Sequence, residues 1–424
     1  MSLFTKRGTN KLDFVFSYLL FYIFFYWVFQ KTVFGNNAFV YISFVFLFFV
    51  LGVRALSKVD KVDNMALMWV PYFLYTAFGY FLQSNIESFS YWMIGLFVML
   101  SASNQRVINM FDRRLVLYIG IFIAIGVLYN YLFTESYNST IAPLYFQDVK
   151  AWSSIEYGYA GFTYQLGVTA CILNTAEMLI IYLYLKDRTI SKKWILWGCL
   201  VIIIICIFLT GKRTNSIIAI VVPALVSYLT KSKTSSRHVS LLLLLSGSIV
   251  ALYLAYIHLD AMINSDIFHR VATAYTDYQT GEDITSNRLF LWEKALSIYH
   301  DAPLLGVGVG RYEEIAKVGT GAHSIYIQCL CEQGIVGLLF FIFPLIYCII
   351  TTVKLTHYSN SERLTNFACF SLAIQLRYML DGITENDNSN LIGFLFYAVS
   401  ISLAIDCRTR LKSSKNIIIS SYCA

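Results

Sequence analysis

Long apolar runs separated by short polar stretches organise this chain, and about 17 to 25 mostly apolar residues suffice for a helix to cross a bilayer. By that rule the pattern predicts spans near 13–30, 38–53, 65–83, 88–102, 115–134, 162–185, 194–210, 215–230, 239–258, 334–353, 365–383 and 390–406. The expected fold class is all-α: one polytopic integral membrane domain over residues 1–424, with about 12 transmembrane helices. Two polar stretches are long, near 135–161 and 259–333, and the second is the large external loop. Loops of that length in a compact membrane protein usually carry function.

Composition agrees with the pattern. Hydrophobic residues make up 58% of the chain and charged residues 13%, with a mean hydropathy of +0.62. A soluble domain carries about a quarter charged residues. Aromatics reach 17% and are spread along the whole chain, as expected where amphipathic rings sit at two membrane interfaces. The opening Met-Ser-Leu-Phe-Thr-Lys-Arg runs into an apolar stretch with no small-residue cleavage site, so a retained first span is expected. Most of the nine cysteines lie in apolar runs, which argues against a disulfide framework, and Cys329 and Cys331 form a C-x-C without the partner cluster a structural metal needs.

Charge adds the orientation. Most of the 32 Lys and Arg residues fall in alternate loops, from Lys6, Arg7 and Lys11 through Arg113, Arg114, Lys186 and Arg188 to Arg408, Arg410 and Lys412. The positive-inside rule makes that side, with both termini, cytoplasmic. The net charge of +7 is therefore a topology signal, divided among short segments, and nucleic acid is not an expected partner.

Against that bias, the turn in "IFLTGKRTNSIIAI" places Lys212 and Arg213 on the cation-poor side. In the long loop, "TSNRLFLWEKALSIYHDAP" has a helix-start signal at Thr285, Ser286 and Asn287, with Leu289, Trp292, Leu296 and Tyr299 at helical spacing and Pro303 after it. A short amphipathic surface helix is expected, with Arg288 in its first turn, where unpaired N–H groups already attract anions. A surface Arg paired with Asp283 is the competing reading, and the segment alone favours it. The alternating Gly306, Gly308 and Gly310 lack the flanking strand and helix of a dinucleotide fingerprint, so a tight backbone turn is expected. His323 stands where a new helical pattern opens at about Ser324. A helix N-terminus lowers an imidazole's pKa and keeps it neutral, able to accept a proton. An interfacial His bonded to a carbonyl is the simpler reading for a lone His.

The company of these residues changes the balance. The run R-x3-W-x-x-A-L, a proline, L-L-G-V-G-x-G-x-Y, then H-S-x-Y-x-Q-x-x-x-E-x-G-x-x-G-L spans Arg288, Trp292, Pro303, Tyr312, His323, Tyr326, Gln328, Glu332 and Gly334. It resembles the signature region of the O-antigen polymerase and O-antigen ligase superfamily, as does an Arg just after a small-residue turn between two spans, here Arg213. The family more often has Asn where Ser324 stands. The resemblance implies a glycosyltransferase acting outside the inner membrane on an undecaprenyl-diphosphate-linked oligosaccharide, with a GT-C-related fold. It also implies no metal or other cofactor, with Arg213 and Arg288 on the diphosphate and His323 activating the acceptor.

Elementary chemistry supports that implied set. A departing diphosphate gathers negative charge, which preplaced guanidinium groups stabilise, and an acceptor hydroxyl needs a base. Lys212, Tyr326, Arg377, Asp381 and Trp152 are the candidate substrate-binding side chains. Lys212 also suits snorkelling, Trp152 interfacial anchoring, and Arg377 with Asp381, one turn apart, a structural ion pair. Glu177 carries the same ambiguity. The expected activity is O-antigen polymerase, with O-antigen ligase or capsular polysaccharide polymerase as alternatives and a flippase or transporter behind them. Membrane lipid and a chain-length regulator protein are the expected partners.

Overall fold

The computed structural model describes residues 13–29, 32–33, 37–56, 62–83, 86–102, 107–145, 158–163, 165–230, 287–358, 361–385 and 391–422. Among them the regular elements are helical, with one isolated antiparallel bridge between Thr32 and Tyr145. In chain order the α-helices are α1 (Asp13–Phe29), α2 (Asn37–Leu56), α3 (Asn64–Leu67), α4 (Val70–Leu82), α5 (Ile86–Ala102), α6 (Val107–Met110), α7 (Arg113–Leu132) and α8 (Thr134–Thr140). There follow α9 (Leu166–Leu179), extended by a π turn over Ile180–Tyr184, then α10 (Lys193–Leu209), α11 (Arg213–Thr230), α12 (Arg288–Asp301), α13 (Tyr312–Ala316), α14 (Ile325–Tyr358), α15 (Glu362–Asp381) and α16 (Leu391–Tyr422).

Among the described residues, five segments are long and apolar enough to cross a membrane: Asn64–Leu82, Arg113–Leu132, Leu166–Tyr184, Arg213–Thr230 and Ile325–Tyr358. Ile42–Val53, Trp92–Ser101 and Lys193–Leu209 are shorter apolar helices. The expected span 239–258 lies outside the described residues. The expected span 365–383 falls on α15, which carries Glu362, Arg363, Arg377 and Asp381 and so is less apolar than its length alone requires.

The radial distribution of polarity is that of a bundle solvated by lipid. Leu74, Phe78 and Phe81 on α4 and Trp197, Val201 and Ile205 on α10 face outward. Asn174, Glu177, Asn215, Gln375 and Arg377 are buried among the helices. Polar groups turn inward where the surroundings cannot hydrogen-bond them.

Contacts between loops sort the described turns onto two ends. At one end Thr32 bridges Tyr145, the Gln83 side chain donates to the Val309 carbonyl, and Tyr159 N donates to Leu209 O at 3.0 Å. At the other end Arg408 pairs with Asp63 at 2.8 Å, Ile108 N donates to Asp406 at 2.8 Å, and His357 Nε2 lies 2.9 Å from Leu229 O. These groupings match the alternation expected from the Lys and Arg distribution.

Two features of the long loop depend on one kink. Helix α14 breaks at Gly334, whose φ of 64° is left-handed. The break leaves backbone groups without helical partners, and the glycine-rich turn supplies them. Val307 N donates to Cys331 O at 3.2 Å, Gly308 N to Glu332 O at 2.9 Å, and Ile335 N donates to Pro303 O at 2.9 Å. The tight-turn reading of Gly306, Gly308 and Gly310 holds, with φ values of 68°, 107° and 73°. At Gly306 a Cβ would meet the Glu332 carbonyl carbon at 2.3 Å, so the close approach also requires glycine there. The Glu332 carboxylate accepts from Gly310 N at 2.8 Å and from Gln328 Nε2 at 3.0 Å, tying the turn to the helix from inside.

Candidate active site

Lys212 and Arg213 sit where α10 turns into α11. The turn closes through Thr210 N to Cys206 O at 3.1 Å and Gly211 N to Phe208 O at 3.0 Å, with Gly211 at a φ of 67°. A left-handed glycine after a helix is the usual way to reverse the chain this tightly. The turn is pressed from outside by Gly158, where a Cβ would come 2.2 Å from Thr210 O. The turn that carries Lys212 is thereby packed closely against Gly158.

Arg288 opens α12, as the sequence predicts, but two details differ. Asn287 takes a left-handed φ of 64° and makes no side-chain cap, so it serves as a backbone turn; Thr285, Ser286 and Asp283 lie outside the described residues. The inward face of α12 is Leu291 and Ala295, whereas Leu289 and Leu296 of the expected stripe are exposed. Helical periodicity reports an apolar neighbourhood and cannot say whether protein or lipid provides it.

His323 has a left-handed φ of 50°, an uncommon setting for a side chain with a Cβ. Its neighbours over-determine that setting. Trp292 Nε1 donates to Ala322 O at 2.9 Å, Ala322 N donates to Gln328 Oε1 at 3.3 Å, and Ile325 N donates to Gly382 O at 2.9 Å. The imidazole Nε2 lies 3.3 Å from Thr320 Oγ1. Helix α14 begins at Ile325, so His323 stands just before it. Its pKa lies below the ordinary 6.5, the expected direction, but the cause is chiefly burial, with Arg288 and Lys212 adding to it and Glu385 opposing. The imidazole is neutral at neutral pH.

Glu385 is the residue sequence reasoning did not single out, and it organises the site. It follows the C-terminus of α15 and is mostly buried. Lys212 Nζ contacts its Oε1 at 2.8 Å, and Arg288 Nη2 reaches the same oxygen at 3.5 Å. Burial alone would raise its carboxyl; Lys212, Arg288 and His323 outweigh that and hold it below the usual carboxylate value. Residues from three separate segments thus converge on one anion. A polar seam supports them: Thr214 Oγ1 lies 2.7 Å from Thr384 Oγ1, and Asn215 Nδ2 donates to Asp381 Oδ1 at 3.3 Å. The only sequence signal for Glu385 is an acid close after an intramembrane Asp in "DGITEND".

The other expected site residues divide. Arg377 and Asp381 form a buried ion pair within α15, with side chains 0% and 3% exposed. Tyr326 donates its hydroxyl to Met379 O at 2.7 Å, which anchors α14 to α15. Ser324 Oγ faces Gly382 O at 3.5 Å. Trp152 lies outside the described residues. Glu177 is buried on α9.

Residues 198–342 match the family model described as O-antigen ligase. The chain carries the domain of the O-antigen polymerase and ligase superfamily. The matched span contains Lys212, Arg213, Arg288 and His323 and stops short of Arg377, Asp381 and Glu385. None of the curated proteins matches the chain. Five described helices long and apolar enough to cross a membrane, together with this match, suit a membrane protein, and the members of the matched family are glycosyltransferase-like or ligase enzymes.

Proposed function

We propose that this chain is an O-antigen polymerase: a glycosyltransferase joining undecaprenyl-diphosphate-linked oligosaccharide units at the outer face of the bacterial inner membrane. The observation that carries this reading is the convergence of Lys212, Arg288 and His323 on Glu385 at the end of the bundle where Arg213 opens α11. Cations gathered around one buried carboxylate are a ready receptor for a stronger anion. The donor diphosphate takes the place of the Glu385 carboxylate on Lys212 and Arg288, with Arg213 beside them. Arginine suits this because its planar fork binds two phosphate oxygens and stays charged. Neutral His323 takes the proton of the acceptor hydroxyl as that oxygen bonds to the anomeric carbon. The bond from that carbon to the diphosphate oxygen breaks, and undecaprenyl diphosphate leaves as an anion, so no acid is required. Direct displacement inverts the anomeric centre. The fuller architecture we infer has about 12 spans, a GT-C-related arrangement and both termini in the cytoplasm, by the span-length and positive-inside rules.

The second reading, O-antigen ligase, draws on the description of the matching family model. Purified protein in liposomes, supplied with lipid-linked repeat units with and without lipid A core, separates the two. A ladder of lengthened lipid-linked glycan from repeat units alone is the polymerase result. Product that forms only when lipid A core is present means ligation. Arg213→Ala, Arg288→Ala and His323→Ala are each expected to lower product formation by about a hundredfold or more while the protein still inserts; normal product from all three would falsify the site.

A further inference from the structure

At the end of the bundle away from Glu385, the N-terminal ends of α7 and α15, the turn after α9, and α6 enclose a cleft of 1020 Å³. Its floor is apolar and buried, with Phe111, Leu183 and Phe367. Its walls carry the cations Arg113, Arg114, Lys186, Arg188 and Arg363 against the carboxylates Asp112, Asp187 and Glu362. Those carboxylates are engaged already. Asp112 Oδ1 caps α7 by accepting from Arg114 N at 3.0 Å and Leu115 N at 3.2 Å. Asp187 pairs with Arg113 at 3.0 Å, and Glu362 with Arg188 at 3.3 Å. The cleft therefore has a positive excess, to which the exposed Arg114 and Lys186 contribute.

Two helices fix its depth in the membrane. Leu166–Tyr184 starts beside Lys212, since a Cβ on Gly167 would lie 3.8 Å from Lys212 Nζ, and it ends next to the cleft-lining Lys186. Helix α15 starts at the cleft with Glu362 and ends at Asp381, four residues before Glu385. At 1.5 Å per residue each spans about 30 Å, the thickness of a bilayer's hydrocarbon core. The cleft thus faces the interface opposite the candidate active site, on the side to which the positive-inside rule assigns the cytoplasm.

We propose that this cleft binds the phosphate headgroup of an anionic phospholipid from that leaflet, of the phosphatidylglycerol or cardiolipin type. Basic pockets between transmembrane helices at the cytoplasmic surface favour such headgroups electrostatically. The apolar floor distinguishes a lipid from a soluble phosphate, because Phe111, Leu183 and Phe367 accommodate the first acyl carbons below the headgroup. The site is independent of the transferase reading.

The test uses the full chain, purified in neutral detergent and offered phosphatidylglycerol, cardiolipin or phosphatidylcholine, with retained lipid read by native mass spectrometry. Inorganic phosphate is a separate arm, read by thermal protection. Preferential retention of the anionic lipids is expected, reduced about tenfold in the Arg114→Gln/Lys186→Gln variant. Lys186→Gln alone, a change at an exposed rim position, gives a smaller loss if the double variant does not fold. Equal retention of phosphatidylcholine, or anionic-lipid retention unchanged by the variants, overturns the proposal. Protection by inorganic phosphate without retention of any anionic lipid overturns it in favour of a soluble anion.

Discussion

Asp381 and Glu385 lie four residues apart, and the bundle treats their carboxylates differently. Asp381 is bound chiefly within its own helix: it pairs with Arg377 one turn earlier, both side chains almost wholly buried, and takes one longer bond from Asn215 of α11. Glu385 is shared: Lys212 and Arg288 both reach its Oε1, and its charge acts on His323 as well. A pair within one helix is satisfied as soon as that helix forms, so it holds structure. A carboxylate satisfied only by groups from distant segments is replaceable by another anion that presents the same charge to them. The first arrangement builds the bundle; the second is suited to exchange with a substrate.

The largest effect separating the two regions is expected at His323. His323→Ala lowers the rate of glycosyl transfer by about a hundredfold to ten-thousandfold, the usual contribution of a general base, with little change in melting temperature. A rate within a few-fold of the parent, measured on liposome-reconstituted protein, removes His323 from the chemistry.

Asp381→Asn is expected to act on stability. It leaves the Arg377 charge buried without its carboxylate, at a cost of about 3–5 kcal/mol. The loss appears in thermal unfolding in detergent and in membrane yield, while the pH dependence of the remaining activity stays put. Normal melting with lost acceptor use would instead make Asp381 part of the sugar site.

Glu385→Gln sharpens the contrast through pH. In the proposed mechanism His323 acts as a base when neutral, so activity is expected to fall as pH drops through its pKa, which lies below 6.5 in the folded protein. Glu385 raises that pKa, and removing its charge favours the neutral ring further. The acid limb of the pH–rate profile therefore moves to lower pH. A limb that stays in place, or moves up, means that Glu385 does not act on His323.

The smallest effect is expected at Trp292, whose indole N–H holds the carbonyl preceding His323. Trp292→Phe loses that bond, worth about 1 kcal/mol, and lowers the turnover rate severalfold without changing donor affinity. An unchanged turnover rate would mean that Trp292 packs α12 without positioning the imidazole.

Much of this molecule is visible in one dimension. Apolar run length places the helices, because a bilayer demands internally hydrogen-bonded segments of a set length. Lys and Arg placement sorts the loops, and the described contacts between them respect that sorting. The Arg377–Asp381 pair is legible because four residues make one helical turn. The amphipathic spacing of α12 is visible too, yet Leu289 and Leu296 face outward while Ala295 is buried, since periodicity does not name the apolar partner.

By itself the sequence determined a helical bundle with apolar helices of membrane-spanning length, the sorting of its described loops onto two ends, and the presence of Arg213, Arg288 and His323 in segments otherwise poor in cations. Tertiary structure alone decided that Lys212 and Arg288 meet on Glu385, and that burial more than a helix end keeps His323 neutral. Helical spacing is a local property written into consecutive residues. Coulombic partnership depends on distance in space, and residues 212, 288, 323 and 385 become neighbours only when the packed helices bring their ends together.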